Sequence, residues 1–241
     1  MSDRTFTPGD DATESPEQVA FRASARSFLS AHAEPRAEVD PWQVSGFPDD
    51  DEARAYFEHG RAWQRTLATH GWAGLTWPTE YAGGDHPAWA ERIFSEESSA
   101  YGSGPGFIGA TVAMLGPTLL AHATHEVKAR HLPSLLNGEV AWCQLFSEPN
   151  AGSDLGALEL RAVRDGDDYV LNGTKQFISG SGFNDVYVTM VRTGEHKTKG
   201  ISCLVIDKDT PGVSFGKPEK KLGWNASPTA QLIFEDARVP V

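Results

Sequence analysis

With 241 residues, 39% of them apolar, seven Trp and twelve Phe, the chain has material for one large or two ordinary cores and reads as globular. A formal net charge of −12, with no run of Lys or Arg, repels phosphate backbones and acidic membrane surfaces, which argues against nucleic acid as a partner. Cys143 and Cys203 lie in apolar runs without CxxC or Cys/His spacing, so they read as buried free thiols of a reducing compartment rather than a disulfide or metal site.

Residues 1–14 read as a disordered acidic leader with neither an apolar core nor an amphipathic Arg/Ser-rich character, which makes the cytoplasm the expected location. No apolar run approaches a membrane span. At Ser15-Pro16-Glu17-Gln18 a Ser cap, a Pro at the first helical position and a Gln three residues after the cap announce a helix. Phe21, Ala25, Phe28, Leu29 and His32 share one face of it. Pro35, Pro41, Gly46 and Pro48 break the pattern, and Asp49 to Asp51 cap a second helix facing inward with Phe57, Gly60, Trp63 and Leu67. Residues 71–84 lack a helical period and read as a loop; a third helix opens near Pro87 with Trp89, Ile93, Ala100 and Tyr101 on one stripe. Further helical segments run over 107–122, interrupted at Gly116-Pro117, and over 125–136 with Val127, His131 and Leu135 on one face; Asn137-Gly138 closes the run.

From Val140 the period changes to two, with strand-like runs at 159–164, 168–171, 174–179, 185–192, 200–206 and 229–235. Asp165-Gly166 and Asn172-Gly173 supply hairpin turns. The expected fold is therefore α+β: an all-α helical domain over 15–138, then an antiparallel β-barrel or sandwich over 139–241.

Two conspicuous patterns carry little. Gly104 to Gly109 fits Gly-x-Gly-x-x-Gly, but it follows a helical pattern where a dinucleotide fingerprint needs a strand. His122, His125, Glu126 and His131 stand at near-helical spacing, yet the interrupted segment scatters them, so no metal site is assigned. The chemistry concentrates in Trp142 to Asp154, Trp-Cys-Gln-Leu-Phe-Ser-Glu-Pro-Asn-Ala-Gly-Ser-Asp, and in Leu171 to Gly180, Leu-Asn-Gly-Thr-Lys-Gln-Phe-Ile-Ser-Gly. Pro149 ends strand pairing and turns the chain outward, and the small residues after it let backbone amides and a hydroxyl approach a phosphate or a heteroaromatic edge. Taken singly, Phe177 is an ordinary core aromatic, Ser147 and Ser179 are solvated strand residues and Asp154 is a turn residue.

Together the two stretches resemble the acyl-CoA dehydrogenase family, whose middle domain carries a similar acidic-Pro-x-x-Gly-Ser-Asp loop and a similar Asn-Gly-x-Lys-x-aromatic-Ile-Ser/Thr strand. The likeness extends to the loop at 71–84, to Phe215 through Trp224 and to Ile233 through Pro240. It implies an FAD-dependent oxidoreductase of fatty-acid metabolism that dehydrogenates an acyl-CoA thioester at Cα–Cβ. A base takes the α-proton, hydride goes to flavin N5, and electrons pass to an electron-transfer flavoprotein. It assigns Gln144, Phe146, Ser147, Gly152, Ser153, Phe177, Ile178 and Ser179 to the cofactor, with Ser147 on the flavin edge, Phe177 and Ser179 at the ring, and Ser153 at the pyrophosphate and bordering the acyl-CoA.

Phe177 stands where many members have Trp, Asn150 where Gly is common, and Asn225 where Arg is frequent. Family members continue beyond the position of Val241 into a helical bundle that carries the base and most subunit contacts, so no catalytic residue is assigned and a homo- or hetero-oligomer is expected. Lys197 and Lys199, in the hairpin at 193–199, read as a solvated tip or as contacts to a CoA phosphate. The competing functional reading is a non-catalytic flavin-binding or scaffold subunit that acts with a partner chain.

Overall fold

A computed structural model describes residues 14–37, 50–102, 106–223 and 227–241; the leader before Glu14, Pro41, Gly46, Pro48, Asp49, Gly104, Pro105 and Asn225 lie outside them. Helix α1 (Pro16–His32) opens on the anticipated capping box, with Gln18 N–H donating to Ser15 Oγ at 3.3 Å and Ser15 N–H to Gln18 Oε1 at 2.8 Å. It buries Ala25, Phe28 and Leu29, whereas His32 is exposed and places Nδ1 on the Phe28 carbonyl at 2.9 Å. Helix α2 (Asp50–Thr69) turns Phe57, Trp63 and Leu67 inward, and its buried Gln64 donates from Nε2 to the Leu136 carbonyl at 2.7 Å.

Helix α3 (Trp89–Ser98) ends before the residues expected to extend its stripe. Ala100 is exposed, and Tyr101 leaves the helix to form a bridge with Pro35. Helix α4 (Gly106–His122) runs through Gly116-Pro117 without the expected interruption. At Gly116 the absent side chain admits the Trp77 ring, since a Cβ there would sit 1.9 Å from Trp77 Cζ2. That packing, with Leu115 and Leu119 buried beside it, offsets the donor that Pro117 removes. Helix α5 (His125–Leu136) starts at Thr124, whose Oγ1 accepts from Val127 N–H at 3.3 Å.

Seven strands follow: β1 (Trp142–Leu145), β2 (Arg161–Asp165), β3 (Asp168–Ser179), β4 (Val186–Arg192), β5 (Ile201–Asp207), β6 (Val213–Phe215) and β7 (Thr229–Pro240). They form one curled sheet in the order β1-β4-β2-β3-β7-β6, with β5 on the other edge of β4. The pairs β2/β3, β3/β7, β4/β5 and β6/β7 are antiparallel, but β1 lies parallel to β4 and β2 meets β4 in parallel at Arg161↔Arg192. The sheet is therefore mixed where alternation suggested a wholly antiparallel one. A period of two determines which face is buried and carries no information on a neighbour's direction.

Asp165-Gly166 makes its hairpin, with Gly166 at φ +66° and Asp165 paired to Asp168. Asn172-Gly173 does not turn the chain; it lies inside β3 opposite a bulge of β7, where Glu235 and Asp236, the latter at φ +51°, stand against Asn172 alone. There Asn172 exchanges two bonds with Asp236, one from Nδ2 to Oδ1 and one from Asp236 N–H to Asn172 Oδ1, both 3.0 Å. This satisfies the amide within the sheet and removes the need for a turn.

Two apolar cores result. One joins the helices to one face of β1 and β4 through Trp142, Val186 and Val188; the other fills the sheet's concavity with Cys143, Leu145, Leu171, Tyr187 and Phe234. Both cysteines are free; burial pushes the Cys143 thiol up to about 12, while Cys203, expected inside, is exposed on β5. Among the described residues no helix is long and apolar enough to cross a membrane.

Candidate functional site

The two motif stretches meet side by side. Strand β1 ends at Leu145, and the chain continues through an exposed Phe146 and a half-buried Ser147 to a buried Glu148. Glu148 N–H donates to the Ala151 carbonyl at 2.8 Å and Ala151 N–H returns to the Glu148 carbonyl at 3.2 Å, so Pro149 and Asn150 form an exposed tight turn. Gly152, Ser153 and Asp154 follow on the surface, and apart from Gly152 and its two chain neighbours nothing lies within 4 Å of a Cβ built there. The backbone there is open to a close-approaching group.

Across from this loop β3 parts from β7 between Lys175 and Ile178. Freed from β7, Gln176 N–H donates to the Ser147 carbonyl at 2.9 Å. The next residue, Phe177, is held at φ +58° with 65% of its surface exposed. A left-handed aromatic residue is a backbone outlier that persists only where surrounding structure imposes it. Ile178 returns to the sheet's core at 3% exposure, so any ligand contact from it falls to its backbone. Ser179 is exposed and paired with Thr229. Gln144 faces the helices instead, with Nε2 3.6 Å from Sδ of Met114 on α4.

Beneath these residues lies a pair that sequence reasoning passed over. The Lys175 side chain is wholly buried, and its Nζ donates to Glu148 Oε1 at 2.8 Å and to the Phe146 carbonyl at 3.0 Å. The Glu148 carboxylate also accepts from Glu159 N–H at 2.5 Å and Leu160 N–H at 3.1 Å. Burial holds the Lys175 ammonium below its ordinary range, and Glu148 acts against that by favouring the charged form. A signal was present: Lys175 shares the inward parity of Leu171 on β3, where a charge must find a partner.

The hairpin at 193–199 is a solvated tip, exposed from Gly194 to Lys199, that is nevertheless fastened to the cradle loop. Lys197 Nζ meets Asp154 Oδ2 at 2.7 Å. Arg192 donates to the carbonyls of Gly156 at 2.7 Å, Leu158 at 3.0 Å, His196 at 3.0 Å and Lys197 at 3.1 Å, which ties the hairpin to the end of the cradle loop. The histidines weighed as metal ligands are spread out: His125 Nδ1 lies 3.1 Å from Tyr81 Oη, and His131 stands edge-on to Trp142 at 5.0 Å.

An unpacked aromatic face, short hydroxyls and an open glycine in a polar loop form a set suited to a planar heteroaromatic group with an anionic tail. Residues 15–139 match the model of the acyl-CoA dehydrogenase N-terminal domain, and residues 143–237 match that of the acyl-CoA dehydrogenase middle domain. The chain belongs to the acyl-CoA dehydrogenase family.

Within that family it is 56% identical over 121 residues to the mitochondrial isobutyryl-CoA dehydrogenase of Dictyostelium discoideum, an overlap of 50% of this chain and 29% of that protein. It is 35% identical over 223 residues to the 3-(aryl)acrylate reductase of Clostridium sporogenes, covering 91% of this chain and 55% of the other. Among solved structures it superposes on the ChsE4-ChsE5 complex from Mycobacterium tuberculosis with a TM-score of 0.72 and 32% identity, covering 95% of this chain and 56% of that one. The chain spans about half the length, or less, of these relatives.

Proposed function

We propose that this chain builds the cofactor side of an FAD-dependent acyl-CoA dehydrogenase, with a helical unit over 15–138 and a flavin-binding sheet unit over 139–241. The observation that carries the reading is the exposed, left-handed Phe177 beside the end of β1, next to a loop with open backbone at Gly152. When bound, FAD supplies the acceptor for the hydride that leaves the β-carbon of an acyl-CoA thioester. The residues of the chain bind and orient. Phe177 offers an aromatic wall, Ser147 and Ser179 offer hydroxyl donors to the ring edge, and Phe146 and the Ile178 backbone complete the surround; Gln144, turned toward Met114, is left out of it. Gly152 and Ser153 offer amide and hydroxyl donors to the pyrophosphate, and Ser153 also borders the acyl-CoA.

We assign the proton-abstracting base to none of these residues. An electron-transfer flavoprotein as acceptor, work in the cytoplasm and assembly with further subunits belong to the same reading. The free thiols and the family's multi-chain neighbours support it.

Titration of the purified chain with FAD, followed by visible absorption and flavin fluorescence, tests the reading. The unaltered chain is expected to bind, and Ser153→Glu to weaken binding about 10- to 100-fold, because hydrogen bonds to a charged group are lost and like charges meet. Failure of the unaltered chain to bind FAD overturns the cofactor assignment; unchanged affinity in Ser153→Glu removes the loop from the site. Flavin that is retained but never bleached by acyl-CoAs, with the whole protein assembled, favours the non-catalytic flavin subunit.

A further inference from the structure

We infer that Glu148 and Lys175 are the positioning residues of the cradle, a buried clamp that holds the Ser147 strand end, the 149–158 loop and the Phe177 bulge in one arrangement. What is positioned rests on the flavin reading; the clamp itself rests on geometry. Three chain segments converge on the pair: the end of β1 through the Phe146 carbonyl, the approach to β2 through the amides of Glu159 and Leu160, and β3 through Lys175 itself. The loop carrying Gly152 and Ser153 thus leaves from Glu148 and ends at amides bound by the Glu148 carboxylate, so both its ends are fastened to one side chain.

A pair this buried is a poor choice for stability alone, since the cost of removing two charges from water offsets most of their attraction, and apolar residues of similar volume often serve as well. It is a good choice for uniqueness, because a misplaced segment leaves a charge buried without its partner. Such a constraint is what the neighbouring backbone requires. Phe177 lies two residues beyond Lys175 in a conformation that aromatic residues avoid, between Gln176, whose amide is tied to Ser147, and Ile178, which is anchored in the core. With the pair in place the bulge cannot relax toward β7 and withdraw the ring.

The test uses the full chain carrying Glu148→Gln with Lys175→Met, which removes both charges together and keeps an acceptor at 148 and an apolar stem at 175. Thermal unfolding, amide hydrogen exchange over 147–160 and 175–179, and FAD titration are measured on the same samples. The proposal expects an unfolding midpoint close to the unaltered chain, exchange at Glu159, Leu160 and Gln176 accelerated at least about tenfold, and FAD affinity lowered at least about tenfold. A purely structural pair lowers the midpoint and leaves the FAD affinity of the folded fraction unchanged; that result overturns the proposal, as does unchanged exchange. If the unaltered chain does not bind FAD, the flavin reading falls while hydrogen exchange still decides the clamp. Should the neutral pair fail to fold, Lys175→Arg keeps the charge but changes its reach and geometry. Faster exchange at the same three amides is then expected, and unchanged exchange refutes the clamp.

Discussion

Gly116 shows how a single absent side chain determines the course of a helix. The Trp77 indole occupies the position a Cβ would take, 1.9 Å from Cζ2 and 2.3 Å from Cη2, so Gly116→Ala forces the buried ring to move. Alanine is the better helix former by roughly 1 kcal/mol, yet overpacking a filled core costs about 1–3 kcal/mol, and the second effect is expected to win. Urea denaturation should therefore find Gly116→Ala less stable. A gain in stability would show that the ring is free to give way and that local propensity decides the site.

Helices α1 and α3 are joined by a polar cluster as well as by Phe21 and Trp89, whose rings stand edge to face at 5.3 Å. Arg22 contacts Glu14, Glu96 at 2.7 Å and Glu97 at 2.7 Å, and Arg26 meets Glu97 at 2.6 Å. Hydrogen bonds from Arg22 hold the Glu14 and Glu96 carboxyls below their ordinary 4.5, and Arg26 does most of the same for Glu97. A carboxyl with a depressed folded value stabilises the fold above its unfolded value and ceases to do so as pH falls through the folded one. Acidification from about pH 5 to about pH 3 should therefore loosen α1, raising exchange at its amides. Arg22→Leu should start less stable and lose less over the same window; an equal loss in both would place the acid sensitivity elsewhere. The cluster is largely at the surface, so high salt should weaken it.

For the whole molecule the decisive feature is a core shared between helices and sheet. Trp142, fully buried on β1, packs with Leu132, Leu135 and Leu136 of α5 and lies edge to the His131 ring. A polar link runs beside it: Arg61 on α2 reaches Asp185 at 3.3 Å and the Gly138 carbonyl at 3.1 Å, while Asp185 Oδ2 accepts from Ala141 N–H at 2.9 Å. Helices and sheet are therefore expected to unfold as one unit. Trp142→Ala should cost about 3–5 kcal/mol and lower the helical circular-dichroism transition and the near-ultraviolet transition of the sheet together. Two separated transitions in the unaltered chain would mean that the shared core couples the halves too weakly to matter.

The sequence by itself determined the elements and their faces, because capping chemistry, helical period and strand alternation are local: Ser15 to Gln18, the inward Phe57, Trp63 and Leu67, and the Asp165-Gly166 hairpin were all legible. It also marked the two stretches that meet at the site, through their resemblance to a family. Tertiary structure decided what depends on distant partners. Trp77 let α4 pass through Gly116-Pro117, Asp236 held Asn172-Gly173 within β3 opposite a bulge of β7, and β4 received β1 in parallel. The exposure of Phe177 and the burial of Lys175 belong to the same class. An aromatic residue and a lysine on one strand carry ordinary expectations of inside and outside; Lys175 is buried because Glu148, 27 positions away, supplies its charged partner, and Phe177 is turned out by the bulge between Lys175 and Ile178.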